Sequence, residues 1–160
     1  MANVEILTQK GHDFLWINDR LWMWGLPEEI EDQKEIAENA SGKVLVAGYG
    51  LGIVQKFLLE NRQVDFVLTV EASKEVLDVC KSRYGKLYGD IVLCDYYDFE
   101  SQIEFDTVVG DIWENVNERY LEEYERFRVK ANELLSHKGK VLSWGGDYFE
   151  YLRKRPKYYD

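Results

Sequence analysis

Apolar and polar positions fall into two regimes along this chain. Near the start, His12-Asp13-Phe14-Leu15-Trp16-Ile17 and Leu21-Trp22-Met23-Trp24 flank the polar Asn18-Asp19-Arg20. Aromatic and β-branched runs around a polar turn predict a β-hairpin, and Val4 to Thr8 adds a third short strand. Pro27 then opens a helix expected over 28–39. Proline suits a first helical turn, and Glu28, Glu29 and Glu31 complement the helix N-terminus. Ile30, Ile36, Ala37 and Ala40 form its expected apolar stripe, and Ser41-Gly42 ends it.

From Lys43 onward the period alternates between strand and helix. Strands are expected at 43–47, 64–70, 90–94, 105–110 and 141–144. Helices are expected at 51–61, 73–84 and 117–135, with a short one near 147–153. Ser73 is the expected N-cap of its helix, and Ser136-His137-Lys138-Gly139 reads as a turn. Strands alternating with helices predict an α/β architecture: a doubly wound, mostly parallel sheet covered on both faces. The expected division is an N-terminal β-hairpin element over 1–26 and a binding domain over 27–160. The residues after Trp144 are too few for a helix plus a strand hairpin, so five core strands are expected. A bare sheet edge invites pairing. The hairpin, or a second copy in a homo-oligomer meeting through a sheet edge or the Trp-rich hairpin, is expected to cover it.

Composition narrows the function classes. The chain has 160 residues, enough for one domain with a real core. Twenty Lys and Arg stand against 30 Asp and Glu, a net charge of −10. That balance disfavours nucleic acid, whose binding rests on phosphate neutralisation, and suits a small or cationic partner. No apolar run approaches the roughly 18 residues of a membrane span, and no secretory h-region opens the chain. Cys80 and Cys94 make no disulfide framework, and no metal cluster is expected. A reducing, cytoplasmic setting is the expectation. Of the histidines, His137 is expected at the sheet end away from any site, and His12 near the hairpin.

The strongest chemical feature is Val44-Leu45-Val46-Ala47-Gly48-Tyr49-Gly50-Leu51-Gly52, a buried strand running through a glycine turn into a helix. Glycine there permits positive φ and close approach of a ligand to the backbone. Glu71 ends the next strand, 19 residues after Gly52, the separation at which an acid reaches a ribose diol. Asp95 ends the third strand and could accept from an adenine amino group, or serve only an Asx turn. Three such features at successive strand ends line the edge where open α/β sheets bind ligands. The glycine spacing is G-x-G-x-G, with Ile53 where a dinucleotide fingerprint needs Gly or Ala, so a pyrophosphate cofactor is disfavoured. There is no P-loop sequence.

Taken together, these segments resemble the class I S-adenosylmethionine-dependent methyltransferases, whose fold is Rossmann-like. The likeness runs from about Lys43 to Gly146. It implies S-adenosyl-L-methionine as cofactor, contacted by Ala47, Gly48, Tyr49, Gly50, Gly52, Glu71, Ala72, Asp95, Tyr96 and Asp111. Phe105 to Asp111 resembles the fourth-strand motif, and Leu134 to Leu142 the helix, turn and fifth strand. The N-terminal hairpin, acidic helix and glycine motif are similar to those of spermidine synthases, aminopropyltransferases of the same fold. Their D-x-x-D carboxylates, which hold and deprotonate an amine, match Asp111-Ile112-Trp113-Glu114, with Glu as the second acid. Their first motif carries an acid where this chain has Leu51.

Methyl transfer asks the protein mainly for positioning and desolvation. Asp111, with Glu114 second, is the expected base for a protonated amine acceptor. Trp113 could stack on a cation or pack in the core, and Trp144 could wall a pocket. Three readings stay open: a small-molecule methyltransferase, a spermidine-synthase-like aminopropyl or alkyl transferase, and a non-catalytic S-adenosylmethionine-binding module in a complex.

Overall fold

The computed structural model describes residues 2–113 and 115–155. Strands β1 (Val4–Gln9), β2 (His12–Ile17) and β3 (Arg20–Trp24) form an antiparallel sheet of their own. The tight β2–β3 turn places Asn18 and Asp19 at φ 50° and 65°. This is the left-handed geometry that Asn and Asp tolerate and that a two-residue hairpin demands. There follow α1 (Pro27–Glu38), β4 (Gly42–Ala47), α2 (Ile53–Glu60), β5 (Val64–Glu71), α3 (Lys74–Tyr84), β6 (Asp90–Leu93), β7 (Phe105–Gly110), α4 (Leu121–Leu134), β8 (Leu135–Ser143) and α5 (Gly146–Lys154).

The second sheet is parallel throughout, in the order β6-β5-β4-β7-β8. The chain winds outward from β4 to β6, then returns to lay β7 on the other side of β4. The strand order reverses between β4 and β7, so their carboxyl ends flank a crevice, the place where such sheets bind ligands. β4 is buried on both faces, with Val44, Leu45, Val46 and Ala47 all 0–1% exposed. Alternate residues serve two layers. Leu45 and Ala47 join Phe105, Phe127 and Phe149, while Val44 and Val46 join Ala37, Val54 and Leu58 on the other face.

Several expectations shift. The buried face of α1 carries Glu29, Gln33 and Ala37, spaced four apart, whereas Ile30 and Ile36 are only half-buried. The helix turns its polar residues inward because that face lies over the end of β7, where Gln33 meets Asp111. The segment Ser136–Gly139, expected as a turn, belongs to β8. It is a bulge: Phe105 pairs with Leu135, but Thr107 pairs with Lys140, so extra residues crowd one side of the ladder. His137 is exposed there, at the sheet end remote from the crevice. α4 is preceded by a separate 3-10 turn, Glu118–Tyr120, capped by Asn117. Ser73 does cap α3, its hydroxyl accepting from the Val76 N–H at 3.2 Å.

The N-terminal sheet does not extend the parallel sheet at either edge; the two sheets share no ladder. It packs Val4, Ile6 and Ile17 against Tyr49, Val76 and Cys80 instead, because its apolar face meets α3 and the glycine turn. Asp13 tethers it to α3, accepting from the Tyr84 hydroxyl at 2.5 Å and from the Arg83 guanidinium at 3.4 Å. Among the described residues, β6 and β8 remain edge strands, and no helix is long and apolar enough to cross a membrane.

Candidate functional site

β4 ends in the glycine turn. Gly48, Gly50 and Gly52 have φ of 90°, 58° and 75°, values that side chains rarely allow. The turn is pinned from beneath. The Gly48 N–H donates to the Val70 carbonyl at 2.9 Å, and the Cys80 thiol donates to the Gly50 carbonyl at 3.2 Å. Burial, with the nearby Glu71 charge adding to it, pushes that thiol up to about 12. The Gln55 amide donates to the Gly48 carbonyl and to the Thr69 hydroxyl, both at 3.2 Å. Its oxygen is buried with no hydrogen-bond partner.

Glu71 closes β5 and faces this turn. One carboxylate oxygen accepts from the Tyr49 N–H at 2.9 Å and the other from the Ser73 N–H at 2.8 Å. A carboxylate has about four lone-pair sites, so both oxygens keep capacity for ligand hydroxyls while the backbone fixes their direction. Asp95 makes the Asx turn, accepting from the Tyr97 N–H at 2.8 Å through one oxygen. Gly48, Gly50, Glu71, Ala72, Asp95, Tyr96, Tyr97 and Asp111 surround one cleft of about 270 Å3. Most residues expected to bind a cofactor are thus brought together.

Ala47, Tyr49 and Gly52 lie outside that cleft. Ala47 is sealed in the core at 0% exposure. Tyr49 turns its ring inward, where its hydroxyl accepts from the Tyr88 N–H at 3.0 Å. Gly52 sits behind the turn, where an added Cβ would fall 2.5 Å from the Tyr49 hydroxyl. Tyr96 borders the cleft, but its ring stacks on Phe127 at 5.4 Å and its hydroxyl donates to the Phe127 carbonyl. It is chiefly a core residue.

Asp111 follows β7 directly, across the crevice from Gly48. Its carboxylate accepts from the Gln33 amide at 2.9 Å, and the same nitrogen donates to Glu29 at 3.1 Å. One amide therefore bridges two acids. Asp111 keeps an edge on the cleft, yet its carboxyl is tightly enclosed by protein. Burial first, and the Glu29 charge second, push it up to about 7, and the Gln33 bond only partly opposes this. Glu29 is also raised, mainly by burial. A carboxyl raised toward neutral pH is tuned as a general base needs, since it can take a proton there and give it up again.

Beyond Asp111 the wall is aromatic. Trp22, Trp24, Trp113 and Trp144 line a small cavity with Met23, Gln33 and Gln55. Trp24 meets Trp144 edge to face at 6.5 Å. Trp113 is 2% exposed and packs edge-on against Tyr124, Phe127 and Phe149. Its ring N–H donates to the Trp144 carbonyl at 3.1 Å. Its role is packing, and Trp144 is the pocket wall. Glu114 lies outside the described residues. Among the described residues no His, Cys, Asp and Glu group could hold a metal.

Sequence reasoning missed Glu29, Gln33, Gln55 and Met23. A faint signal existed for the first two. The stripe Glu29, Gln33, Ala37 has helical spacing, on a helix whose apolar residues are too few to define a face.

No protein-family model matches the chain, and no curated protein matches it. Solved structures of the same fold do. Spermidine synthase from Thermotoga maritima superposes with a TM-score of 0.64 over 89% of this chain and 53% of its own, at 14% identity. The CcbJ methyltransferase from Streptomyces caelestis gives 0.55 over 74% and 49%, at 21% identity. DhpI, in its complex with SAH, gives 0.52 over 68% and 51%, at 22% identity. The chain spans about half the length of the structures it matches. These likenesses establish the fold, a Rossmann-like α/β sheet.

Proposed function

We propose that this chain binds S-adenosylmethionine in the cleft between β4 and β7 and transfers its methyl group to a small amine-bearing acceptor held at Asp111. The carrying observation is convergence. The glycine turn, Glu71, Asp95 and Asp111 come from four successive strand ends and face one cleft of about 270 Å3. The neighbours named as a methyltransferase and as a complex with SAH support the same cofactor.

In this reading Glu71 accepts from the ribose diol with its two oxygens already aimed by backbone amides. Asp95 offers its second oxygen to the adenine amino group. Residues 1–26 cover the site, and 27–160 bind the cofactor. S-adenosylmethionine supplies an electrophilic methyl carbon on a sulfonium. Asp111 takes a proton from the acceptor ammonium, leaving a free amine lone pair to attack. Gln33 holds that carboxylate in place, and Trp22, Trp24 and Trp144 keep water out, which strengthens the electrostatics inside.

Aminopropyl transfer is the second reading, favoured by the superposition on spermidine synthase over 89% of the chain. Against it, Leu51 replaces an acid in the first motif. Leu51 is buried, and its N–H is engaged by Met23.

Titration calorimetry with S-adenosylmethionine, S-adenosylhomocysteine and decarboxylated S-adenosylmethionine tests the proposal. Binding of the first two, weakened at least about tenfold by Glu71→Ala, is the expected result. No binding of any of the three ends the cofactor reading. Binding unaffected by Glu71→Ala and Asp95→Ala overturns the site map.

A further inference from the structure

Two spaces adjoin at the glycine turn, and they differ greatly in size. The cleft carrying Glu71 and Asp95 has about 270 Å3, while the cavity beyond Gly50 has about 20 Å3. The smaller volume is enough for about one water. They share Trp22, Gly48, Gly50 and Asp111 as a common wall. A nucleoside with its diol at Glu71 that extends a 5′ substituent past Gly48 and Gly50 would enter the smaller space.

Met23 of the N-terminal sheet narrows that space. The Met23 sulfur accepts from the Leu51 N–H at 3.3 Å, taking a backbone donor at the entry to α2. It also lies against the open face of Gly50, where an added Cβ would fall 2.4 Å from the sulfur. Gln55 lines the same cavity, is 0% exposed, and its oxygen has no donor. A buried orphan acceptor carries a desolvation cost. An ammonium group entering the cavity would relieve it.

We propose that Met23 is a specificity-determining residue that closes the subsite for the ligand's 5′ arm. With Met23 seated, S-adenosylmethionine and S-adenosylhomocysteine are held chiefly through their nucleoside part. Withdrawal of Met23 admits the arm, whose ammonium then donates to Gln55. This rests on the nucleoside reading of the cleft.

Calorimetry of the full chain with adenosine and with S-adenosylhomocysteine tests it in wild type, Met23→Ala and Met23→Val. Adenosine affinity should stay within about threefold, while S-adenosylhomocysteine affinity should rise at least about tenfold. The Val variant shortens the side chain but keeps a strand-favouring residue, so it decides the matter should the Ala variant not fold. An affinity ratio that is unchanged or lower overturns the role of Met23 while leaving the cleft a nucleoside site. Adenosine failing to bind wild type overturns the nucleoside reading and this inference with it. Hydrogen exchange gives an independent readout. Amides of Leu21–Trp24 should exchange faster with S-adenosylhomocysteine bound and be unaltered by adenosine; equal protection by both ligands also overturns it.

Discussion

Replacing Asp111 by Asn keeps the shape of the side chain and its acceptor for Gln33, and removes only the charge. Asp111 is raised from 3.8 to about 7 in the folded chain. Between those values the native state holds a proton that the unfolded state has released. Stability is therefore greatest at low pH and is lost as pH rises toward 7, where the native group finally ionises. The slope is about 1.4 kcal/mol per pH unit for one proton, so going from pH 5 to pH 8 costs roughly 2–3 kcal/mol through this group. Asp111→Asn abolishes that cost, and by removing a neighbouring charge it also eases the strain on Glu29. Urea unfolding of both proteins at pH 5 and pH 8, followed by Trp fluorescence, measures it. The variant should gain on wild type by a few kcal/mol at pH 8 relative to pH 5. Titrating groups other than Asp111 and the coupled Glu29 are common to both proteins and cancel in the difference. Parallel pH profiles for the two would refute the argument that Asp111 is buried beside a second acid. Where methyl transfer is measurable, turnover should rise with pH through about 7 and fall sharply in the variant with cofactor affinity preserved.

The thiols should separate cleanly. At pH 8 a thiol reagent should modify the partly exposed Cys94 in the folded protein and reach the buried Cys80 only in denaturant, because burial pushes the latter up to about 12; two fast thiols would contradict this. Phe127→Ala should cost about 3–5 kcal/mol by thermal or urea unfolding. Phe127 is 0% exposed and touches both Trp113 and Tyr96, so a loss under about 1 kcal/mol, the scale of a surface change, would show that the layer beneath α4 is not packed as described.

Strand and helix alternation was legible from Lys43 to Trp144 because a buried parallel strand writes a continuous apolar run, as in Val44–Ala47. The glycine turn, Glu71 and Asp95 were legible too, since their chemistry and spacing are local. Glu29 and Gln33 were not. Their role depends on which face of α1 meets β7, a tertiary fact that a helix with few strong apolar positions does not declare. Met23 was hidden among tryptophans whose pattern predicts only a strand. The bulge of β8 was mistaken for a turn because Ser136-His137-Lys138-Gly139 has turn chemistry. In the structure Gly139 spends that freedom on close packing, a Cβ there falling 2.7 Å from the Leu135 side chain.

The separate ladder of β1–β3 has a bearing on the order of synthesis. These strands are synthesised well before the groups that hold them in place. Asp13 waits for Tyr84 and Arg83, and Met23 waits for Leu51. Two strands alone are marginal, and three with an apolar face reach the threshold for independent stability, so the sheet can form once β3 is made, while its seat on α3 comes only later. Asp111, later still in the chain, completes the cleft only when β7 pairs with β4.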